Sequence, residues 1–348
     1  MNKQKVIIGM SGGVDSSVAA AILLEKGYEV IGLTMDLWGE ASSFDDAKFV
    51  CSELGIRHIV ADFRKDFEKH VIDYFTSEYT LGRTPNPCIA CNKALKFDAM
   101  LRHAESLGAD FIATGHYAKI EKTGDRFLLK KSNATKKDQT YVLYSLTQSV
   151  LSKTLMPLGD IEDKTETRKI AENLGLITAR KSESMEICFI PDNDYASFIS
   201  RRTGIPNKEG NFVDADGNVL GRHNGIINYT IGQRKGLGIA FGKPMFVIRI
   251  NARDNEIVLG EKGSEFSSSL IADGLNFIPF DNIENPIEVC AKVRYTAKEA
   301  PATVTPLADG RVRVDFSSPQ RAITPGQAVV FYSPEGDAVI GGGIIQGA

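Results

Sequence analysis

At roughly 100–200 residues per domain, a chain of 348 residues with 43% hydrophobic and 24% charged residues can fill two or three packed cores, which excludes a wholly disordered or fibrous protein. Its 41 Lys+Arg against 44 Asp+Glu leave a formal charge of −3, which disfavours a protein that coats nucleic acid by bulk charge but leaves room for a local basic patch. No apolar run approaches the ~18 residues of a membrane span and no signal-peptide pattern precedes Val6, so a cytoplasmic protein with no membrane partner is expected.

The strand-like run Val6–Met10 is followed by Ser11-Gly12-Gly13, then by a helical pattern through Val18, Ile22 and Leu23 that ends at Gly27. Val30–Met35 predicts a second strand, Phe44–Leu54 a helix stopped by Gly55, and Ile59–Phe63 a third strand. Helical spacing links Phe67, Val71 and Phe75, and again Phe97, Leu101, Ala104 and Leu107 before Gly108. Phe111–Thr114 predicts another buried strand and Lys119–Lys131 a hairpin around Thr123-Gly124-Asp125. Tyr141–Leu155 and Lys164–Leu174 read as helices, the second opening after Asp163. Strands alternating with helices of this length imply βαβ units and a parallel sheet. Beyond about residue 204 the helical period gives way to short alternating runs, among them Phe246–Ile250, Glu256–Leu259, Val289–Tyr295, Thr303–Leu307, Arg311–Phe316 and Ala328–Phe331. That half is all β, of a length for two small modules, with a boundary near residues 263–270.

Gly9-Met10-Ser11-Gly12-Gly13-Val14-Asp15-Ser16-Ser17 lies between the first strand and the first helix. The glycines allow a tight turn with N–H groups close to a ligand, the serines add hydroxyls, and the helix N-terminus adds its dipole: an anion site. It is not a Walker A loop, because no Gly-Lys-Ser/Thr follows. A purely structural turn capped by Ser16 is the plain alternative, and the full string after a first parallel strand weighs against it.

Five cysteines in a chain this long make no disulfide scaffold, so their positions matter more than their number. Cys88 and Cys91 form Cys-x-x-Cys in Thr84-Pro85-Asn86-Pro87-Cys88-Ile89-Ala90-Cys91-Asn92-Lys93, at the start of a helix, where the dipole lowers a thiol pKa. Cys188 lies far downstream in Ser184–Pro191 among apolar neighbours and, taken alone, reads as a buried structural cysteine.

The Ser-Gly-Gly-Val-Asp-Ser string resembles the pyrophosphate-binding motif of the ATP pyrophosphatase superfamily, whose members cleave ATP to AMP and pyrophosphate and adenylate an acceptor oxygen. Together with the two cysteine segments, Thr114-Gly115-His116-Tyr117, Lys137-Asp138-Gln139-Thr140-Tyr141, Gly232–Ile239, Val293-Arg294-Tyr295, Thr324-Pro325-Gly326-Gln327 and Gly341–Ile345, the chain resembles bacterial tRNA-specific 2-thiouridylases through nearly its whole length. The resemblance implies an α/β fold: an N-terminal parallel-sheet ATP pyrophosphatase (HUP-like) domain over 1–203, then two small all-β modules, a central adaptor over 204–265 and a β-barrel over 266–348.

It further implies ATP-dependent 2-thiolation of the wobble uridine of tRNA, with Mg²⁺ on the phosphates and sulfur from a donor protein, a cysteine desulfurase or sulfur carrier. The residue matching Cys188 receives sulfur as a persulfide, that matching Cys91 is the nucleophile, and a Cys91–Cys188 disulfide follows turnover. ATP contacts fall on Gly9, Met10, Ser11, Gly12, Gly13, Val14, Asp15, Ser16, Met35 and Gly115. Contacts to tRNA fall on His116, Lys137, Asp138, Gln139, Arg294, Tyr295 and Gln327, and the basic group Lys130, Lys131, Lys136 and Lys137 reads as phosphate contacts. One departure stands out. Many family members carry aspartate where this chain has Cys88. Either its proton role is filled otherwise, or Cys88, Cys91 and Cys188 hold a 4Fe–4S cluster with one open iron. A closed zinc site needs a fourth ligand that is not evident.

Overall fold

The computed structural model describes residues 3–39, 44–180, 187–205, 207–239 and 242–347. The strands of its first half are β1 (Lys5–Gly9), β2 (Glu29–Asp36), β3 (Arg57–Asp62), β4 (Phe111–Ala113), the hairpin pair β5 (Lys119–Thr123) and β6 (Arg126–Lys130), and β7 (Thr154–Leu155). All but the hairpin join one parallel sheet in the order β3-β2-β1-β4-β7. Val6, Ile7 and Ile8 of β1 are fully buried, as a central parallel strand covered on both faces requires. Helices α1 (Val14–Glu25) and α2 (Asp45–Glu53) follow β1 and β2. Because the order runs outward in opposite directions from β1 and β4, a crevice opens at their carboxyl ends, between the loop after β1 and the loop after β4.

The second half is β throughout. β8 (Gly210–Val213), β9 (Val219–His223), β10 (Met245–Asn251) and β11 (Glu256–Glu261) form a sheet in the order β10-β11-β8-β9. β12 (Phe266–Phe277), β13 (Ile287–Lys292), β14 (Ala300–Pro306), β15 (Val312–Arg321), β16 (Ala328–Tyr332) and β17 (Val339–Gly347) close into a barrel. The Gly-Ser-Glu-Phe-Ser-Ser-Ser stretch that reads as a boundary runs straight into β12, whose polar start alternates as an exposed strand edge.

Tyr141–Leu155 is not the helix its apolar spacing predicts. It is a 3₁₀ turn at Thr140–Val142, a short helix at Gln148–Leu151 and then β7. Tyr141, Leu143, Tyr144 and Leu146 are all buried, so no polar face is left for a surface helix. They belong to a core that runs without a break from the parallel sheet into Ala328, Val330, Tyr332 and Val339 of the barrel. At its centre the Tyr141 hydroxyl donates to the carbonyl of Ala328 at 2.8 Å.

The barrel also grips the loop that precedes Cys88 and Cys91. The Thr84 N–H donates to the Pro325 carbonyl at 2.9 Å, and the Gln327 carboxamide donates to the Thr84 carbonyl at 2.7 Å. Tyr141→Phe deletes one buried hydrogen bond of this joint and is expected to cost about 1–2 kcal/mol in equilibrium urea unfolding.

Candidate active site

The loop after β1 suits an anion because its helix start is left open. Gly13 is the N-cap of α1, and no side chain caps the helix, so its first N–H groups remain for a ligand. Gly12, at φ +68°, lies so close to α2 that an added Cβ would fall 2.7 Å from Cβ of Asp46. Gly115 is equally constrained: an added Cβ would fall 2.7 Å from N of Ser16 and 2.8 Å from the carbonyl carbon of Asp15. The sequence reading gives Gly115's smallness to a ligand; the structure gives it to the loop, which the end of β4 presses directly.

Several loop residues are committed inward. The Met10 side chain is buried, its N–H donates to the Leu33 carbonyl at 2.8 Å, and its own carbonyl accepts from the Thr34 hydroxyl at 2.8 Å. Val14 is buried, and the hydroxyls of Ser16 and Ser17 both donate to the Gly13 carbonyl, at 3.1 and 2.8 Å. Ser17 therefore offers no hydroxyl to an anion. Ser11 is exposed, while Gly9, Gly13 and Asp15 are half-buried, as is Met35 at the end of β2.

Asp15 is the acidic group of the loop, and its partners were invisible in the sequence. Lys164 Nζ lies 2.6 and 2.7 Å from its two carboxylate oxygens, and the Tyr117 hydroxyl donates to it at 2.8 Å. That hydroxyl also lies 2.7 Å from the Thr167 hydroxyl. Lys164 opens the helix Lys164–Asn173 directly after its N-cap Asp163, a position where a lysine looks like ordinary surface.

The sulfur site starts at Asn86, whose side chain accepts the N–H groups of Cys88 and Ile89 at 3.1 and 3.4 Å, with Pro87 in the first helical position. The helix Pro87–Cys91 continues as a π-helical stretch over Asn92–Ala99. Cys91 is half-buried at the end of that first turn. Burial pushes its thiol pKa up, the neighbouring Cys88 adds to the rise and Lys96 opposes it. The helix-start argument for a lowered pKa is thus outweighed by desolvation.

Cys188 stands next to this helix. Its thiol is pushed up to about 11, first by desolvation and then by Cys91 and Cys88, with Lys96 again pulling down. The fold therefore brings Cys188 into the electrostatic reach of both upstream cysteines, and its apolar neighbours do not make it a core residue, since it is exposed. Lys96 lies five residues beyond Cys91, within the stretch wound with i→i+5 bonds, and its charge lowers the pKa of both thiols. Among the described residues no three His, Cys, Asp or Glu side chains converge to hold a metal ion, so the three-thiolate cluster site is not assembled here.

His116 links the two halves. It follows Gly115 directly, packs its ring 5.9 Å from that of Phe97, shares a 2.7 Å hydrogen bond with the Thr114 hydroxyl, and is buried. Burial and Lys96 hold its pKa well below the ordinary histidine value, so it is a neutral imidazole. It does not present a free face to a polynucleotide.

Other residues expected to touch tRNA are occupied within the protein. The Asp138 carboxylate accepts the Ser132 and Thr140 N–H groups at 3.1 and 3.3 Å. The Gln139 side chain accepts the Tyr117 N–H at 3.0 Å, and Gln327 holds Thr84. Lys130 pairs with Glu121 at 2.7 Å and Lys131 with Glu299 at 2.7 Å. Tyr295 is exposed, its hydroxyl 3.3 Å from the Asp138 carbonyl; Arg294, next to Tyr295 in sequence, and Lys137, next to Asp138, are both half-buried.

Thiols with raised pKa values stay protonated at neutral pH and gain reactivity only as pH rises. Alkylation of Cys188 by iodoacetamide is expected to keep climbing past about pH 10 without a plateau, with Lys96→Ala moving the curve further up. A plateau near about pH 8 would contradict the desolvated environment.

Residues 4–192 match a family described as "tRNA methyl transferase HUP domain", residues 197–261 one described as "tRNA methyl transferase PRC-barrel domain", and residues 267–345 one described as "Aminomethyltransferase beta-barrel domain". The tRNA-specific 2-thiouridylase MnmA of Acetivibrio thermocellus is 56% identical over 362 residues, covering 99% of this chain and 100% of the relative. The protein of the same name from Clostridium beijerinckii is 54% identical, covering 99% of each. Among solved structures, NMN synthetase from Francisella tularensis shares 16% identity at a TM-score of 0.36 over 58% of this chain and 78% of that one, too slight a likeness to bear on function. With more than half of its residues identical along its whole length, the chain belongs to the tRNA-specific 2-thiouridylase family.

Proposed function

We infer that this protein is an ATP-dependent tRNA-uridine 2-sulfurtransferase acting on the wobble uridine. The observation that carries the reading is the meeting of an open phosphate loop and a cysteine pair around the end of β4. Gly115 touches Asp15 and Ser16, and the next residue, His116, shares Lys96 with Cys91 and Cys188. The matched family descriptions speak of methyl transfer, but two thiols beside a phosphate loop suit sulfur transfer after adenylation.

The uridine C2 carbonyl is a poor electrophile. Attack of its oxygen on the α-phosphorus of ATP forms the C2–O–AMP bond and expels pyrophosphate. The loop N–H groups at the start of α1 suit the departing pyrophosphate. Mg²⁺ fits the hard oxygen donor Asp15 together with the ATP phosphates, and when bound it supplies charge neutralisation there. The terminal sulfur of a Cys188 persulfide then attacks C2 and AMP leaves with the C2–O electrons. Cys91 attacks the Cys188 sulfur and breaks its bond to the transferred sulfur, leaving 2-thiouridine and a Cys91–Cys188 disulfide. A thiol reductant supplies the two electrons that reopen it. The sulfur arrives from a cysteine desulfurase or sulfur carrier, and Lys137, Arg294 and Tyr295 form the part of the surface that suits tRNA contact.

Cys91→Ser and Cys188→Ser are each expected to cut 2-thiouridine yield from a persulfide donor by about 100-fold or more while ATP binding persists, and Cys290→Ser to leave it near wild type. The assay is nucleoside mass spectrometry with unmodified tRNA; loss of yield in Cys290→Ser with the fold intact would point to the wrong cysteines.

A second reading, an iron–sulfur cluster, rests on the electrostatic reach of Cys88 and Cys91 to Cys188, although the three thiols do not converge on one point among the described residues. Cys88→Asp is expected to retain most activity and an iron-free wild type to be active; stoichiometric iron in anaerobically purified wild type with a dead, iron-poor Cys88→Asp would favour the cluster instead.

A further inference from the structure

Cys188 sits at the corner of a tight turn. The Ile190 N–H donates to the Ile187 carbonyl at 2.9 Å, which puts Cys188 and Phe189 at the two central positions. The two point apart: Cys188 is exposed and Phe189 is buried. The Phe189 ring lies in a cage of aromatic rings, 5.2 Å from Phe75, 5.4 Å from Phe198, 5.8 Å from Phe67 and 6.4 Å from Trp38. Trp38 itself stands edge-on to Phe67 at 4.8 Å. Consecutive Cα atoms are joined at about 3.8 Å and the turn is closed by the Ile190–Ile187 hydrogen bond, so whatever fixes Phe189 confines the Cys188 backbone and the arc its sulfur can reach.

Trp38 is unlike the rest of the cage. It is 41% exposed, so burial alone does not account for a tryptophan there. It follows Met35 on the end of β2, and its backbone is held firmly: the Asp36 carboxylate accepts the Trp38 and Gly39 N–H groups at 3.1 and 2.6 Å. Arg64, paired with Asp62 at 2.6 Å, adds a second charge 3.7 Å from Asp36. The strand end that offers Met35 to a nucleotide therefore also offers an indole to the sulfur-bearing turn.

We propose that Trp38 is a positioning residue for sulfur transfer, holding the Cys188 turn through Phe189 in register with the strand end at the nucleotide site. It touches no reacting atom. The proposal rests on the sulfurtransferase reading above and concerns only the coupling between adenylation and sulfur delivery. Without the indole the turn keeps three of its cage partners, so the protein still folds, but Cys188 is no longer fixed relative to the adenylated base.

The test compares 2-thiouridine formed with pyrophosphate released, in wild type, Trp38→Ala and Trp38→Phe, with a protein persulfide donor and then with free sulfide, which bypasses Cys188. In Trp38→Ala, pyrophosphate release is expected to stay within about threefold, while 2-thiouridine per pyrophosphate falls about tenfold or more with the persulfide donor. Free sulfide should restore the ratio, and Trp38→Phe should recover most of it. Because Trp38 is the one tryptophan of the chain, its emission gives an independent readout: Phe189→Leu should shift it to the red and lower the same ratio. An unchanged ratio in Trp38→Ala, or an equal fall with sulfide and persulfide, overturns the proposal. A wild type that makes no 2-thiouridine from either source overturns the sulfurtransferase reading instead.

Discussion

The sulfur site depends on where one helix begins. Asn86 and Pro87 set its first turn, but the position of that turn in space is fixed from the far end of the chain. Pro325 and Gln327 hold both backbone groups of Thr84 between them. The barrel is a support for the cysteine helix, and the fully buried Tyr141 and Tyr332 make the joint continuous with the core of the parallel sheet. A cysteine on a free loop would have to be ordered before it could react in a fixed geometry; here the ordering entropy is met once, by folding.

Desolvation by the surrounding protein holds both thiols neutral, although Cys188 keeps an exposed face. Cys91 and Cys188 both have raised pKa values, each raised further by nearby cysteine sulfurs, and Lys96 is the cation that moderates both. Resting thiols in such a place resist adventitious oxidation, because the thiolate is the reactive form. On the sulfurtransferase reading proposed above, sulfur loaded onto Cys188 would change the group that titrates, since a persulfide is a stronger acid than its thiol. The environment therefore favours chemistry from the loaded state over the empty one. His116, neutral and buried between Lys96 and the phosphate loop, adds no second positive charge to that balance.

Much of this was legible in the sequence where function rests on unbroken strings. Ser11–Ser16 and its preceding strand announce the anion loop, and the alternation of strand and helix through Phe111 announces the parallel sheet. What escaped was set by distance or by irregular backbone. Lys164 and Tyr117 reach Asp15 from residues far along the chain, with no local pattern to mark them. Lys96 is hidden because a half-buried lysine in a helical segment looks ordinary, and its charge acts on Cys91, Cys188 and His116, two of them far along the chain. Asp138, Gln139 and Gln327 carry a role the strings did not show. They stand in strings that suggest tRNA, and their side chains also tie Ser132, Tyr117 and Thr84 in place. A polar residue in a functional string is often structural support for the one beside it.

The two π-helical stretches share a logic. One, Glu68–Ile72, lies between Phe67 and Phe75, the two rings that meet Phe189 from the helix side. The other, Asn92–Ala99, lies between Cys91 and the regular helix Met100–Ser106. Wider winding is less favourable than an α-helix and survives where tertiary contacts require it. Here both stretches adjoin the sulfur-bearing residues: one lies between the Phe67 and Phe75 rings that meet Phe189, and the other follows Cys91 and carries Lys96. Two cysteines remote in sequence can be brought together by topology alone, but their relative orientation has to be tuned locally. In this fold that tuning is done by departures from regular helix on the two elements that face the sulfur turn.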